Sequence, residues 1–427
     1  MTPPKTLHLT NAYHATSGGI RTFYHALMAE ADVRERPIRL VVPGERPGVE
    51  ACGRRGLIHT VQARRAPWFD RRYRLLWLRH YLGSRSPVGR IFASERPDVV
   101  EVCDKYTLCH VARLLKLGWH RPVPRPTLVG LSCERMDDNV AAYLSPRPAV
   151  ARAARLYLRH VYAPSFDVHV ANSTYTAQEL RRHAHLDAVE VCPHGVDARL
   201  FSSARPDSSL RTSLLTAAGG GPGSLLVLYA GRLSPEKNLP LLIEAVAALE
   251  RRRERGELHV PDVRLVLAGE GPSAAALSGP AARVAPGRVR GIGNITDRRA
   301  LAVHYASADV FAHPNPREPF GIGPLEAMAA GVPVVVPNAG GVLSYANDGN
   351  SWLAPPEPEA FADAIVDASR GRATARVQRA VDTAHAHAWE IVAGRYFDLL
   401  DRRHAARLEA ARFPAVGASV GMWAPRR

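Results

Sequence analysis

The sequence predicts an α/β protein with two parallel-sheet domains. The chain has 427 residues, which is too long for one hydrophobic core and fits two domains of about 200 residues each. Apolar segments of strand length alternate with helical stretches throughout, and this alternation indicates strand–helix–strand units and therefore parallel sheets. Residues 202–223, rich in Ser, Gly and Pro, are predicted to link a first domain, residues 1–201, to a second, residues 224–380.

The first half begins with a strand, a glycine pair and a helix. The apolar segment 6–10 is followed by Gly18 and Gly19 and by a helix predicted from Ile20 to about Glu30. Glycines at this place let the backbone approach a phosphate, which the N-terminus of the helix attracts. The remaining strands of this half are predicted at Ile38–Val42, Val99–Val102, Thr127–Leu131, Val168–Ala171 and Val189–Cys192, with a closing turn at 193–197.

The second half repeats the alternation. Buried parallel strands are continuous apolar runs, and the run VPVVVP at 332–337 is typical of them. A helix is predicted at Leu239–Glu250, and the chain is helical again at 362–369 and 377–400. The composition of residues 413–427 predicts a disordered tail. The other strands are predicted at Leu225–Tyr229, Val263–Ala268, Val289–Ile292 and Val310–Ala312.

Two glutamates eight positions apart, Glu318 and Glu326, flank a glycine-rich turn. Gly321 and Gly323 remove side chains where the backbone can approach a ligand, and the N–H groups that open the following helix point at it. We expect both carboxylates to face one small ligand, one near its charged part and one near its hydroxyls. This predicts a sugar nucleotide. The alternative is a helix start whose acidic residues only complement the helix dipole.

Arg232 and Lys237 lie five positions apart, where a strand is predicted to end and a helix to start. Ligands of α/β sheets bind outside the carboxyl ends of the strands, and an Arg fork with a mobile Lys suits a diphosphate. Such a pair neutralises a leaving nucleoside diphosphate. The alternative is two surface cations, which a helix start disfavours. Because the sequence has no D-x-D motif, no metal site is predicted.

The net charge of +16 favours an anionic partner. The densest basic stretch, Arg64–Arg90, holds eight arginines against one aspartate. Tyr73, Trp77 and Tyr81 recur in it every four residues, which predicts an amphipathic helix. Two interpretations stay open: a domain helix with a solvated basic face, or a patch that docks on anionic lipid or an anionic acceptor. Nucleic acid is not expected, because no binding motif accompanies the charge.

Cysteine usage and hydropathy indicate the compartment. The five cysteines are scattered without C-x-x-C spacing, which is typical of a reduced cytosolic protein and not of a disulfide framework or a zinc site. No apolar run approaches the roughly 20 residues that span a bilayer, and the N-terminus lacks the pattern of an export signal. We therefore expect a cytoplasmic protein that becomes peripheral on the inner face of the membrane if the basic stretch binds lipid.

The order of these motifs resembles a family 4 glycosyltransferase of the GT-B fold. The resemblance implies two Rossmann-like domains facing across a cleft, with a last helix, residues 381–412, crossing back to the first domain. It also implies a retaining transfer of a hexose from a nucleoside-diphosphate sugar to a hydroxyl acceptor, without an essential metal or other cofactor. The motifs that carry it span most of the chain: Gly18-Gly19, PHGVD at 193–197, YAGRLSPEKN at 229–238, LAGEGP at 267–272, residues 305–314, and the E-x7-E pair Glu318 and Glu326.

The resemblance also implies roles for individual residues. Arg232 and Lys237 bind the diphosphate, Glu326 binds the ribose hydroxyls, and Glu318 holds the donor sugar. The catalytic residues implied are Glu318, Arg232 and Lys237, which act through positioning and electrostatics because the leaving phosphate helps to deprotonate the acceptor. Ile295 lies in a stretch that flanks the base. The full donor-binding set is Gly18, Gly19, Arg232, Lys237, Ile295, Glu318, Phe320, Gly321, Ile322, Gly323 and Glu326.

The acceptor side departs from the family pattern. Many members carry a His after a mid-domain strand, and here Cys133 stands at the comparable position. Two alternatives stay open: the register differs, or another residue such as Glu134 or Arg135 takes the role of that His. The segments 101–105 and 132–137 resemble a subset of bacterial α-mannosyltransferases, which favours GDP-mannose as the donor. The acceptor stays open between a lipid, a glycan and a secondary metabolite. The acceptor-side candidates are His14, Cys133, Glu134 and Arg135.

Two other functions are alternatives to a glycosyltransferase. A sugar-nucleotide epimerase of the same fold should lack the combination of two cations and two glutamates, and it would turn over without an acceptor. A non-catalytic basic protein that binds carbohydrate or lipid would not need these four residues intact.

Overall fold

The computed structural model arranges the chain around two β-sheets. The residues it describes are 3–14, 18–66, 73–118, 125–145, 147–257, 261–275, 279, 283–371 and 374–412. The strands of the first sheet are β1 (Thr6–Thr10), β2 (Ile38–Gly44), β3 (Gly48–Cys52), β4 (Gly56–Gln62), β5 (Val99–Cys103), β6 (Thr127–Ser132), β7 (Val168–Ala171) and β8 (Glu190–Val191). The strands of the second sheet are β9 (Leu225–Ala230), β10 (Val263–Ala268), β11 (Val289–Gly293), β12 (Val310–Ala312), β13 (Val334–Pro337) and β14 (Trp352–Ala354).

Helices connect the strands. Those of the first half are α1 (Gly19–Val33), α2 (Leu78–Tyr81), α3 (Pro87–Glu95), α4 (Cys109–Lys116), α5 (Met136–Tyr143), α6 (Pro148–Tyr157) and α7 (Thr174–His183). Those that follow are α8 (Ala198–Ser203), α9 (Ser208–Ala217), α10 (Leu239–Glu254), α11 (Arg298–Ser307), α12 (Ile322–Ala329), α13 (Pro358–Ser369), α14 (Ala375–Ala386) and α15 (Trp389–Arg412). Among the described residues, no helix combines the length and the apolar character needed to cross a bilayer.

The strand order places a binding edge in each sheet. The orders are β3-β4-β2-β1-β5-β6-β7-β8 and β11-β10-β9-β12-β13-β14, and the pairs are parallel except that of β3 with β4. In each sheet the winding reverses beside a central strand, β1 or β9. Ligands of such sheets bind at this switch point, outside the carboxyl ends of the strands. The predicted architecture of two parallel-rich sheets is confirmed.

The central strands form because both of their faces are covered. All residues of β1, β5, β6 and β10 are buried, and strands covered on both faces need nearly continuous apolar runs. The predicted strands are therefore confirmed, with bounds that differ by one or two residues. The hairpin of β3 and β4 was not predicted. Four of the five residues of β3 are exposed, so this edge strand carries no apolar signal.

The amphipathic helix predicted for the basic stretch Arg64–Arg90 is wrong. Arg65 and Arg74 form an isolated antiparallel bridge, and Tyr73 accepts a 2.8 Å hydrogen bond from the amide of Ala66 on its carbonyl. Helix resumes only with the single turn of α2. The four-residue spacing of the aromatics has a different cause, since Tyr81 is buried in the core whereas Trp77 is half exposed. Residues 67–72 lie outside the described part of the chain.

The chain returns to the first sheet after a break. The single helix predicted across 377–400 is in fact two helices. The chain breaks between them because the amide of Val196 donates to the carbonyl of His387 (N to O, 2.9 Å) and the amide of Trp389 donates to the carbonyl of Val196 (N to O, 3.1 Å). Tyr396 and Phe397 of α15 are then buried with residues of α1, β2 and β6. The last helix therefore crosses back to the first sheet, as the resemblance implied.

The stretch predicted as a linker is partly helical. Asp207 caps α9 by accepting hydrogen bonds from Ser209 and Leu210, and Leu214 and Leu215 are buried in the core of the second half. Ser, Gly and Pro mark the ends of α9 and not a free connector. The domain bounds 1–201, 224–380 and 381–412 stay predictions, and the tail 413–427 lies outside the described residues.

Candidate functional site

The centre of the site is a buried carboxylate between two strand ends. Lys237 follows β9 and Glu318 follows the adjacent β12, so strand order brings them together. Lys237 Nζ donates to Glu318 Oε2 at 2.7 Å, Asn315 Nδ2 donates to the same oxygen at 3.1 Å, and His313 Nε2 lies 3.1 Å from it. Glu318 is 7% exposed. Burial opposes ionisation, but Lys237 and His313 outweigh it and hold the pKa of Glu318 well below its usual range.

Glu326 has its own partners. It lies one turn into α12 and is buried. Tyr305 donates its hydroxyl to Oε2 at 3.0 Å, and Arg298 donates to Oε1 at 3.3 Å. Burial raises the pKa of Glu326 above its ordinary value, because the Arg298 guanidinium and the Tyr305 hydroxyl oppose it only in part. The two glutamates therefore occupy different electrostatic environments along one segment, Glu318 beside Lys237 and Glu326 beside Arg298.

Glycines allow the turn between the two glutamates. Gly321 has φ +83° at the N-cap of α12, a conformation that strains other residues. A Cβ on Gly323 would lie 3.2 Å from the carbonyl oxygen of Ala230 at the end of β9. The absence of a side chain at Gly323 therefore allows the close packing of helix on strand, and the approach of its backbone to a ligand stays a prediction. Phe320 is buried in the core.

The glycine pair of the first half faces this turn. Gly19 is the first residue of α1, and a Cβ on it would lie 3.2 Å from Cδ1 of Ile322 in α12. Gly18 precedes it in open space, with no heavy atom of the described residues within 4 Å of its ideal Cβ. Two helix N-termini that open with glycines therefore meet across the cleft.

Arg232 contacts Tyr73, a residue to which the sequence assigned no role at this site. Its Nη2 donates to the hydroxyl of Tyr73 at 2.9 Å, and its guanidinium carbon lies 5.9 Å from the ring centroid. Tyr73 also packs edge-on against His14, with ring centroids 4.6 Å apart.

Other contacts also join the two halves. Thr174 donates its amide to Ser344 Oγ at 3.3 Å; Arg317 Nε and Asp138 Oδ1 are 3.9 Å apart.

The acceptor-side candidates Cys133, Glu134 and Arg135 are partly buried and have partners within the first half. A hydrogen bond from Cys103 lowers the pKa of Cys133 to about 6, with support from His194 and against the effect of burial. Burial raises the pKa of Glu134 to about 7, and Asn139 Nδ2 donates to its Oε2 at 2.8 Å. Arg135 is held by Asp137 (Nε to Oδ1, 2.9 Å), and its guanidinium also packs on an aromatic ring.

The sequence indicated a role at the site only weakly, or not at all, for Ile295, His194 and His313. Ile295 is half-buried and packs against the core that contains Tyr305 and Leu325. His194, in the turn at 193–197, contacts three aromatic rings at the junction of the halves. His313 directly follows a predicted strand and lies in the motif at 305–314, but nothing in the sequence indicated that it contacts Glu318. In the described part of the chain, no group of three or more His, Cys, Asp or Glu residues is arranged to hold a metal ion.

The architecture is that of a known fold. Sucrose-phosphate synthase from Thermosynechococcus elongatus superposes with a TM-score of 0.73 at 20% identity, over 94% of this chain and 100% of that one. At this identity the similarity shows the fold alone, which is GT-B, the glycosyltransferase fold with two facing Rossmann-like domains. The predicted fold class is confirmed.

Sequence comparisons define the family. The family described as Glycosyl transferases group 1 matches residues 219–381. A GDP-mannose-dependent alpha-(1-6)-phosphatidylinositol dimannoside mannosyltransferase from Mycobacterium tuberculosis is 32% identical over 363 residues, 84% of this chain and 86% of that protein. A D-inositol 3-phosphate glycosyltransferase from Saccharomonospora viridis is 29% identical over 342 residues, 77% and 68% of the two chains. The chain belongs to the group 1 glycosyltransferases and is a hexosyltransferase.

Proposed function

We propose that the chain transfers mannose from GDP-mannose, with retention of configuration, to a hydroxyl group of a lipid-linked glycan. The observation that carries the proposal is the buried Lys237–Glu318 pair beside the glycine-opened α12. The donor and the lipid-linked acceptor are supported by the name of the Mycobacterium tuberculosis relative. The name of the inositol phosphate relative agrees with an acceptor hydroxyl on a phosphorylated polyol.

The donor diphosphate binds between the two glycine-opened helices. Arg232 and Lys237 supply positive charge at the end of β9, and the backbone N–H groups at the starts of α1 and α12 supply hydrogen-bond donors. Charge grows on the diphosphate as it leaves, so donors and cations fixed beforehand stabilise the transition state more than the ground state. These groups replace a divalent cation in this proposal, and transfer should therefore continue in the presence of EDTA.

Glu318 and Glu326 bind the two sugars of the donor. Glu318 stays ionised and accepts hydrogen bonds from hydroxyls of the mannose, while Lys237 keeps its oxygen in place. Glu326 accepts from the ribose hydroxyls, an arrangement for which Tyr305 and Arg298 fix its orientation. Ile295 provides an apolar contact for the base. In the transfer, the bond from mannose C1 to the phosphate oxygen breaks and a bond to the acceptor oxygen forms on the same face. The acceptor proton passes to the leaving phosphate.

The acceptor enters beside β6 in this proposal. Glu134 and Cys133 follow β6, and the contact of Asp138 with Arg317 shows that the next helix lies against the loop that contains Glu318. Burial raises the pKa of the Glu134 carboxyl to about 7, and in this proposal the group forms a hydrogen bond with an acceptor hydroxyl. Arg135 serves to orient this loop through Asp137.

Nucleotide binding tests the donor assignment. We expect GDP and GDP-mannose to raise the melting temperature of the purified protein more than UDP, UDP-glucose or ADP-glucose at equal concentration, because a ligand that binds only the folded state stabilises it by about 2.7 kcal/mol at 100 times its Kd. EDTA should not change this order. Stabilisation by none of the nucleotides would contradict the proposal, and so would conversion of the nucleotide sugar without any acceptor, which an epimerase would show.

Vesicle flotation tests the peripheral membrane site, which we place at the basic stretch. Trp77, Leu78 and Leu82 are about half exposed, and exposed arginines lie among them. We expect the protein to float with phosphatidylglycerol vesicles at low salt and to be released by salt. Arg79→Glu with Arg85→Glu should weaken binding to the vesicles by at least about thirtyfold, since each of the two lost cations contributes about 1 kcal/mol near an anionic surface and 1.4 kcal/mol corresponds to a factor of ten.

The matched control for flotation is Arg290→Glu with Arg370→Glu, two exposed arginines of the second half. This variant changes the net charge equally and should float like the unmodified protein. Equal loss in both pairs would assign the effect to overall charge, and no flotation at low salt would leave the basic stretch as a solvated face.

A further inference from the structure

Tyr73 connects the two halves of the enzyme at the donor site. It lies in the first half, but its hydroxyl accepts a 2.9 Å hydrogen bond from Nη2 of Arg232 in the second half. The face of its ring lies 5.9 Å from the guanidinium carbon. The ring of Tyr73 also packs edge-on against His14, with ring centroids 4.6 Å apart and an interplanar angle of 82°. His14 is the last described residue before the glycine pair of α1.

The backbone around Tyr73 is anchored to the loop that follows β1. The amide of Ala66 donates to the carbonyl of Tyr73 at 2.8 Å, and the amide of Leu75 donates to Arg64 at 3.3 Å. The amide of Leu76 donates to Oδ1 of Asn11 at 3.0 Å. Asn11 is buried directly after β1. Tyr73 is therefore fixed with respect to the glycine loop of the first half.

Tyr73 is suited to orient a cation that must act on an anion. A phenol hydroxyl is neutral, so this contact does not cancel the charge of Arg232, as a carboxylate partner would. A guanidinium is a planar fork with five N–H donors, and a hydrogen bond to one nitrogen sets the direction of the whole plane. Bidentate binding of a phosphate depends on that direction.

We infer that Tyr73 is a positioning residue for Arg232: it holds the guanidinium toward the donor diphosphate and links donor binding to the contact between the two halves. The inference rests on the proposed function, in which Arg232 binds the diphosphate. Tyr73 acts through Arg232, so its removal should matter only while the guanidinium is present.

A double-mutant cycle on GDP affinity, measured by isothermal titration, tests this dependence. Tyr73→Phe keeps the ring and its packing on His14 but removes the oxygen, and we expect it to weaken GDP about tenfold, the effect of losing one hydrogen bond to a charged group. Arg232→Ala should weaken GDP by at least as much. The double variant should bind no more weakly than Arg232→Ala alone, because the two residues act as one unit. In steady-state transfer, Tyr73→Phe should lower kcat as well as raise the donor KM, because a misdirected guanidinium loses part of its contact with the charge that grows on the leaving diphosphate.

Tyr157→Phe is the matched control. Its hydroxyl donates to the carbonyl of Lys105 at 3.0 Å within the first half, and its removal should not change GDP affinity. Thermal unfolding of each variant separates folding defects from binding defects, and a Tyr73→Phe protein that melts like the unmodified one but binds GDP tenfold more weakly supports the inference.

The outcomes separate the inference from the proposed function. Unchanged GDP affinity in Tyr73→Phe, together with a loss in Arg232→Ala, would overturn the inference and leave the diphosphate site in place. Additive losses in the double variant would also overturn it, since Tyr73 would then act independently of Arg232. Unchanged affinity in Arg232→Ala would overturn the diphosphate assignment itself.

Discussion

Replacing Lys237 by Ala is expected to lower kcat/KM for sugar transfer about a thousandfold, the loss seen when a preorganised electrostatic donor is removed from a transition state. Lys237 has two tasks in the proposed site. It neutralises the leaving diphosphate, and its 2.7 Å hydrogen bond holds Glu318 in place as a carboxylate. Lys237→Arg should recover only part of the rate, because the guanidinium is planar and larger.

The pH dependence of the Lys237→Ala variant provides a second readout. With Lys237 present, the pKa of Glu318 is held well below its usual range, so activity should not change through Glu318 in mildly acidic solution. Without the ammonium, burial is opposed by His313 and not by Lys237, and the pKa of Glu318 should rise. The residual activity of Lys237→Ala should therefore fall as the pH is lowered from 7 to about 5, where the unmodified enzyme loses nothing from this group.

Glu326→Gln is the matched comparison for Glu318→Gln. If Glu326 binds the ribose, its amide variant should raise the donor KM and leave kcat almost unchanged, because ribose contacts are alike in ground and transition states. Glu318→Gln should lower kcat. Unchanged donor binding and transfer in Lys237→Ala, or an exchange of the two glutamate phenotypes, would contradict these assignments.

The second large effect is expected on stability, at a buried carboxylate of the first sheet. Glu101 of β5 is fully buried. His8 Nδ1 lies 2.9 Å from Oε2, Tyr24 of α1 donates to Oε1 at 2.7 Å, and Tyr396 of α15 donates to Oε2. The network fastens the last helix to the first sheet. Glu101→Ala should lower the free energy of unfolding by about 3–5 kcal/mol, because it leaves buried donors without an acceptor.

Variants and pH resolve the contributions to this network. Tyr396→Phe removes one hydrogen bond to a charged group and should cost about 1.5–3 kcal/mol, whereas Glu50→Ala, at an exposed position of β3, should cost almost nothing. Burial opposes ionisation of Glu101, but His8 and the two tyrosine hydroxyls outweigh it and lower its pKa. A group with a lowered pKa in the folded state stabilises at neutral pH, and this contribution is lost as the pH falls through that pKa.

The difference in stability between the unmodified protein and Glu101→Gln should therefore shrink below about pH 4, the ordinary range of a carboxyl group. Urea denaturation midpoints, read by fluorescence at several pH values, measure it. A Glu101→Ala protein as stable as the unmodified one would show that the buried contacts of α15 with the first sheet, and not this network, hold the helix.

Elements with a strong local pattern could be predicted from the sequence. Strands β9, β10 and β12 are short apolar runs bounded by turn residues, and their length and composition predict strands. The helix α1 follows a glycine pair after a strand, which is a local pattern as well. Lys237 and Glu318 could be assigned to strand ends, and the general rule about ligands at those ends brought them to one site. The sequence-based prediction failed for the exposed β3 and for the aromatic-rich stretch around Tyr73, because tertiary contacts set the conformation of both segments.

The partners of the site residues could not be predicted, because they depend on strand order. His313 meets Glu318 since β12 lies beside β9, and Tyr305 meets Glu326 since α11 packs against α12. Neither relation has a period or a spacing in the sequence. The spacing of the aromatics predicted Tyr73 on a helix, whereas it precedes Arg74 of an antiparallel bridge within the first half, and its hydroxyl contacts Arg232 of the second half.

The most direct test of the account is a transfer reaction analysed for donor, linkage and dependence on Lys237. GDP-mannose labelled with ¹³C at C1 would be incubated with phosphatidylinositol mannosides in EDTA, and the product examined by NMR. The proposed function predicts an α-linked mannose on the acceptor, formed with release of GDP. The kcat/KM of this transfer should be about a thousandfold lower in Lys237→Ala. A β-linked product, a product formed equally well by Lys237→Ala, or no transfer to any acceptor of a hydroxyl panel would contradict it.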